Sequence, residues 1–350
     1  MAGARLKTRK DIWTVKYRPQ ALDEMLGNEQ SVTTIRQLVQ SNNLPHLVFH
    51  GPVNSGKASV AFALAYELYG EGYERNFTYF NASDFFDQGK RYLVRDKRFI
   101  RIIGTDDPKK IRKSVISIFK EVINEYAGTG SIDADYKVIF IDNAESLNSD
   151  AQHALRRIME KYTATCRFIL STTQPSRLIS PLRSRGLQLF FTYVSGAKLI
   201  EYVRSIAILE GFTVSDDGLD AIAYHSKGNV AKALLTMQIA SLSLQAGNYD
   251  ISQQLIYEAV LGETPEDITQ LFESAIAGDI MAARKVIDKL LIENGLSGSE
   301  ILEQLHGIVI ESSETDESIA RYVNKIAEAD LRMLDASNDR IQLEAMVANF

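Results

Sequence analysis

The stretch HLVFHGPVNSGKASVAFALAYELY, residues 46–69, decides the fold. His46 to His50 is a short apolar run that reads as a buried strand. A loop bounded by Gly51 and Gly56 follows, and an apolar periodic segment from Lys57 reads as a helix. In that setting loop N–H groups and a helix N-terminus form a nest for phosphate oxygens, and a lysine adds a point charge. Gly51, Gly56 and Lys57 hold the required spacing. The next position should carry a hydroxyl for magnesium, and it carries Ala58. Ser59 is turned about 100° around the helix and is a poor substitute. The loop suits phosphate and serves the metal badly.

Outward from the loop, the pattern is strand alternating with helix. NFTYFNAS (76–83) alternates like a strand, and KVIFIDNAESL (137–147) is a continuous apolar run ending in an acid. RFILSTT (167–173) and LQLFFTYV (187–194) are further strands, and SDAQHALRRIMEKY, capped by Ser149, is the helix between. Continuous apolar strands separated by helices predict a doubly wound parallel sheet, an α/β fold, over 46–194. Beyond Ser195 the strand signal ends. Three amphipathic helices broken at Gly211 and Gly228 follow, then about five helical patterns interrupted at Pro265, Gly278 and Gly295. The expected division is an α/β domain at 1–194, a small helical domain at 195–250 and an all-helical domain at 251–350.

Asp142, at the end of a buried strand, stands where a second acid holds or orients magnesium beside a phosphate loop. An aspartate–glutamate pair there would supply the general base for attacking water. The second position is Asn143, whose amide cannot accept a proton. Glu145, two residues on, is expected to face elsewhere.

Composition sets outer limits. With 350 residues, two or three domains are expected. The single cysteine, Cys166, precludes an internal disulfide and reads as a small buried filler in a reducing compartment. No apolar run reaches the ~18 residues that span a bilayer. The start MAGARLKTRK is basic without an apolar region behind it, so neither a secretory signal nor a membrane location is expected.

The net charge of −6 hides a split: residues 251–350 carry 7 Lys+Arg against 19 Asp+Glu, and residues 1–250 carry 32 against 26. The front part is therefore the candidate to meet a polyanion. Lys90 to Lys113 holds ten basic residues against Asp96, Asp106 and Asp107. Asp106 and Asp107 before Pro108 read as the cap of a helix KKIRKSVISIFKEVINEYAG. Its first turn would present Lys109, Lys110, Arg112 and Lys113 to a nucleic-acid phosphate beside the positive end of the helix dipole. A merely solvated basic face is the alternative.

Taken together, VKYRPQALDEMLGNEQ (15–30), GPVNSGK (51–57), NASD (81–84), IDNAESLNSDAQHALRRIMEKY (141–162), SPLRSRG (180–186) and RIQLEAMVA (340–348) resemble the small subunits of replication factor C. That family is the AAA+ clamp loader of archaea and eukaryotes, and the likeness covers nearly the whole chain. It implies an AAA+ α/β domain, a lid over 195–250 and a collar over 251–350 that holds a hetero-pentameric arc together. It implies that Gly51, Asn54, Ser55, Gly56, Lys57 and Ser59 cradle ATP or ADP phosphates, with Asp142 and Thr173 nearby, and that Val15, Tyr17, Arg18 and Asn28 flank the adenine. Arg185 would be an arginine finger serving a neighbour's ATP, since its fixed fork neutralises charge spread over phosphoryl oxygens. Partners would be other small and large subunits, the sliding clamp and primer–template DNA. The location would be the cytoplasmic nucleoid in an archaeon or the nucleus in a eukaryote.

The chain also departs from that pattern. Ala58 replaces the magnesium-binding hydroxyl, Asn143 the glutamate, Thr173 a sensing asparagine, and Ala231 the lid's sensing arginine, with Lys232 adjacent. Gly186 replaces a cysteine, and an insertion occupies 85–106. These absences describe a second kind of small subunit, binding nucleotide with magnesium weak or absent, hydrolysing little, and donating a finger. An autonomous ATPase motor or helicase loader, and a scaffold that binds no nucleotide, are the rival readings.

Overall fold

The sheet at the centre of a computed structural model has five strands: β1 (Leu47–His50), β2 (Phe77–Asn81), β3 (Lys137–Asp142), β4 (Cys166–Thr172) and β5 (Leu187–Phe190). They lie all parallel in the order β2-β3-β4-β1-β5. The structure describes residues 12–95, 97–244, 249–261, 265–333 and 338–350. The basic start at 1–11 and Asp96 lie outside them.

Successive side chains of a strand point to opposite faces, and here both faces are covered. Ile139 and Ile141 of β3 join Phe168, Leu170 and Val48 under α4 (Ala82–Asp87), α5 (Lys90–Leu93), α6 (Lys97–Ile103), α7 (Val115–Gly128) and α8 (Ser149–Lys161). Val138 and Phe140 join Leu47, Phe49 and Ile169 against α2 (Glu29–Gln40) and α3 (Lys57–Tyr69). Two-sided burial is why β3 reads as an unbroken apolar run. Each fully buried Phe or Ile contributes on the order of 2 kcal/mol. The residues 85–106 therefore have a structural task, since Phe85, Leu93 and Phe99 complete the first of these cores.

Two predicted starts shift. The helix expected from Lys109 begins at Val115, capped by the Ser114 hydroxyl, which accepts from the N–H of Ser117 at 3.2 Å. Pro108–Lys110 forms a separate 3-10 turn, capped by Asp107. The helix expected to be capped by Ser149 is capped instead by Asn148, whose side chain accepts from the N–H of Ala151 at 3.0 Å. Cys166 is buried and its thiol is pushed up to about 12 by that burial, which suits a filler.

After β5 come α10 (Gly196–Glu210), α11 (Asp216–Ser226) and α12 (Val230–Leu242), preceded in the chain by the short α1 (Trp13–Lys16) and α9 (Ser180–Arg183). Gly228 joins the two parts: its carbonyl accepts from the N–H of Val194 at 3.0 Å. A Cβ there would stand 2.3 Å from the Val194 carbonyl oxygen, so only glycine fits this approach.

The chain divides into two compact units, the first ending at Asp250 and the second covering Ile251–Phe350. The second holds α13 (Gln253–Leu261), α14 (Pro265–Ile276), α15 (Ile280–Asp288), α16 (Gly298–Glu311), α17 (Asp316–Met333) and α18 (Asp339–Val347), six helices among the described residues against the five or so expected. Ile268, Leu290, Leu305 and Leu343 lie in its own core. Among the described residues no helix is long and apolar enough to cross a membrane.

Candidate functional site

Parallel register brings the chemistry to one edge. His50 pairs with Thr172 and Asn81 with Asp142, so β1, β3 and β4 deliver the Gly51 loop, Asp142 and Thr173 to the carboxyl ends of adjacent strands. A cavity of about 550 Å³ opens there. Asn54, Ser55, Gly56, Lys57, Ala58 and Ser59 line it, with Asp142, Asn143 and Thr173. Tyr17, Arg18, Met25, Tyr202, Ala231 and Leu234 also line the cavity, with Met25 close against Gly56. Such a volume holds a small-molecule ligand.

The loop is held open by its own bonds. A Cβ on Gly51 would lie 2.2 Å from the Phe191 carbonyl oxygen, so the turn needs glycine. The Asn28 amide donates to the carbonyls of Ser55 at 3.1 Å and Thr192 at 3.2 Å, and its oxygen accepts from the N–H of Thr192 at 2.8 Å. Asn28 therefore buttresses the loop and does not line the cavity. The buried Lys57 ammonium donates to the carbonyls of Gly51 at 2.8 Å and Pro52 at 2.6 Å. Burial lowers its pKa, opposed by Asp142 and Glu145, so an anion at the loop would meet a cation whose charge is weakly compensated.

The acids behave differently from each other. Burial raises the pKa of Asp142, with Lys57 and local hydrogen bonds opposing. For Glu145 burial also raises, but hydrogen bonds from Thr173 prevail and its pKa is lowered. Glu145, expected to face elsewhere, is not among the residues that line the cavity; it follows Asn143, which takes a left-handed φ of 50°, and accepts hydrogen bonds from Thr173, which does line it. After glycine, asparagine is among the residues that best tolerate that conformation, and in this it was the available signal. The Asn143 amide donates to Asn81 Oδ1 at 3.1 Å.

A glycine-bounded loop, a buried lysine and a helix N-terminus converge on the cavity and suit phosphates. Asp142 lines it too, while Ala58, the residue after Lys57, offers a methyl group and no oxygen to a metal.

Val15 is 64% exposed and does not line the cavity; Thr14, Tyr17 and Arg18 do, because a helical turn points Val15 away. Arg185 is exposed, is not among the residues lining the cavity, and forms an ion pair with Glu160, which also binds Arg156 at 3.0 Å. Lys109, Lys110, Arg112 and Lys113 are all exposed, but they precede α7 and do not form its first turn. Lys113 pairs with Glu121 at 2.7 Å. Sequence reasoning also missed Gln152. Its buried amide donates to the carbonyls of Leu147 and Arg177 and accepts from the N–H of Ile179, linking the start of α8 to the segment that leads to Arg185.

Comparison with known proteins agrees with this geometry. The chain is 35% identical to the replication factor C small subunit of Haloarcula marismortui, over 97% of this chain and 95% of that one. It is 35% identical to that of Archaeoglobus fulgidus, over 97% and 96%. The chain belongs to the replication factor C small subunits. Residues 263–349 match the replication factor C C-terminal domain, and residues 27–195 match the family described as DNA polymerase III, delta subunit. A substituted RuvB of Thermotoga maritima shares the fold, with a TM-score of 0.52 at 16% identity over 83% of this chain and 85% of that one.

Proposed function

We propose that this chain is a nucleotide-holding subunit of a clamp loader, an assembly that uses ATP to place a sliding clamp on primer–template DNA. In this reading the phosphate loop and Lys57 hold ATP or ADP, Tyr17 and Arg18 meet the base, and hydrolysis in the chain's own site is weak. The observation that carries it is the pairing of Asn143 with Asn81: an amide, committed to another amide, occupies the position where a base would be needed. Ala58 supports the same reading from the metal's side. Arg185 would serve the ATP of a neighbouring subunit, and Lys109, Lys110, Arg112 and Lys113 would follow a DNA backbone. Residues 1–194, 195–250 and 251–350 would act as nucleotide-binding, lid and collar domains, with other small and large subunits as partners. The assembly would work at the nucleoid, in the cytoplasm of an archaeon.

The test is nucleotide titration and turnover of the purified chain, with Lys57→Ala as control. Binding that Lys57→Ala abolishes, with hydrolysis far below ~1 per second, the low end of ordinary enzyme turnover, is expected. Turnover near that rate would support the autonomous motor instead, and absence of binding would support the scaffold.

A further inference from the structure

The segment that carries Tyr17 is fastened to α10 and α12. The Glu210 carboxylate, at the end of α10, accepts hydrogen bonds from Lys16 Nζ and from the Tyr17 hydroxyl through the same oxygen. The Lys16 and Glu210 side chains are only 12% and 15% exposed, so the contact is largely dry. Three more contacts reinforce it. Tyr202 of α10 donates to the Tyr17 carbonyl at 3.4 Å, and Gln238 of α12 accepts from the N–H of Trp13 at 3.0 Å. The Trp13 ring stacks on Phe212, 5.6 Å between centroids at 15°. One residue beyond Tyr17 the attachment changes sides, and the Arg18 guanidinium lies 5.4 Å from the ring of Phe62 on α3.

The geometry points to Glu210 as the positioning residue for the base end of the cavity, holding Tyr17 on the helical part while Lys57 and the loop stay with the sheet. This rests on the nucleotide reading above. Two aromatic rings, Tyr17 and Tyr202, and the apolar Met25 and Leu234 are among the lining residues, a composition suited to a purine ring. Any displacement of α10–α12 carries Tyr17 with it and leaves the phosphate loop in place. Binding of a base-bearing ligand then depends on Glu210 and Lys57 together, whereas binding of bare phosphate chains depends on Lys57 alone.

The experiment compares ATP with inorganic tripolyphosphate on the full chain by calorimetric titration. Glu210→Ala is expected to weaken ATP by about tenfold, the loss of roughly one order of magnitude in binding constant, and to leave tripolyphosphate unchanged. Lys57→Ala weakens both. Trp13 is the chain's only tryptophan and is 7% exposed, so its emission reports the attachment of this segment directly and should shift to the red in Glu210→Ala. Glu210→Gln keeps the volume and an acceptor for Tyr17, and should give a smaller change in the same direction, which guards against simple misfolding. Equal loss of both ligands, or unchanged ATP affinity with unchanged emission, overturns the assignment. If the unaltered chain binds neither ligand, the nucleotide reading fails first and the role of Glu210 with it.

Discussion

Glu145 accepts two hydrogen bonds from Thr173 through one oxygen, from the hydroxyl at 2.6 Å and from the backbone N–H at 3.1 Å. Both donors of residue 173 are thereby committed to a carboxylate. What this position offers the cavity is a lone pair, where an asparagine could have offered an N–H to a terminal phosphate.

Removing the Glu145 charge should favour the more highly charged nucleotide. Glu145→Gln preserves an acceptor for Thr173 and removes a negative charge that Lys57 senses. ATP affinity should rise relative to ADP by about threefold to tenfold, of the size expected for one screened charge interaction near a surface. An unchanged ATP-to-ADP ratio in paired titrations would sink the idea.

Arg185 and Glu160 make an ion pair in which both side chains are substantially exposed, at 44% and 37%. Exposed pairs of this kind contribute little to stability. Arg185→Ala should therefore leave the melting temperature of the chain unchanged. If Arg185 serves a neighbour's ATP as proposed, hydrolysis at that one site in a reconstituted complex should fall about a thousandfold in Arg185→Ala, the size of effect an arginine finger has. An unaltered complex rate removes Arg185 from that role.

Lys110 and Arg112 are exposed, whereas Lys113 is paired with Glu121. Reversing both charges should reduce the slope of log binding constant against log salt by about two, one for each phosphate that is no longer neutralised. A slope that does not change would mean the basic connector is solvated surface.

His46 supplies a pH dependence with a definite sign. Its Nδ1 accepts from the N–H of Phe168 at 3.1 Å, so the ring is held neutral. Burial first, and then the Arg167 charge, lowers its pKa from 6.5 to about 4. Below pH 6.5 the unfolded chain takes up a proton that the folded chain refuses, so stability is full above that pH and is lost as pH falls towards 4. The loss amounts to about 3 kcal/mol at the lower end, from the separation of 6.5 and about 4. Urea midpoints measured from pH 7.5 to 4 should show this slope in the unaltered chain and a shallower one in His46→Gln. Parallel slopes would assign the effect to other groups.

Much of the fold was legible because its signals are local. A buried parallel strand has to be apolar on both faces, and a phosphate loop has to put glycine where Gly51 meets Phe191. Helix starts were less legible, since Asp107 and Ser114, and likewise Asn148 and Ser149, are equally plausible caps by composition. The choice of Ser114 and Asn148 depends on which turn the core residues Ile118 and Ala151 must bury. Within the site, Lys57 was read from motif spacing, Asp142 from its place at the end of a buried strand and Thr173 from the family resemblance, and their convergence follows from strand register. Val15 and Asn28 were placed beside the base, and they are respectively solvent-facing and a buttress of the loop.

The sequence by itself determined the architecture, the phosphate loop and what that loop lacks: a missing hydroxyl at Ala58 and a missing carboxylate at Asn143 are facts of side-chain identity that no folding can repair. Only the tertiary structure decided where Glu145 points and which part of the molecule holds Tyr17. Glu145 meets Thr173 across 28 residues and Tyr17 meets Glu210 across 193, and meetings of residues so far apart are set by backbone turns and helix packing, which leave no periodic trace in the chain. The left-handed turn at Asn143 is the smallest instance: one dihedral angle of 50° turns a residue expected to face away into the partner of the cavity wall.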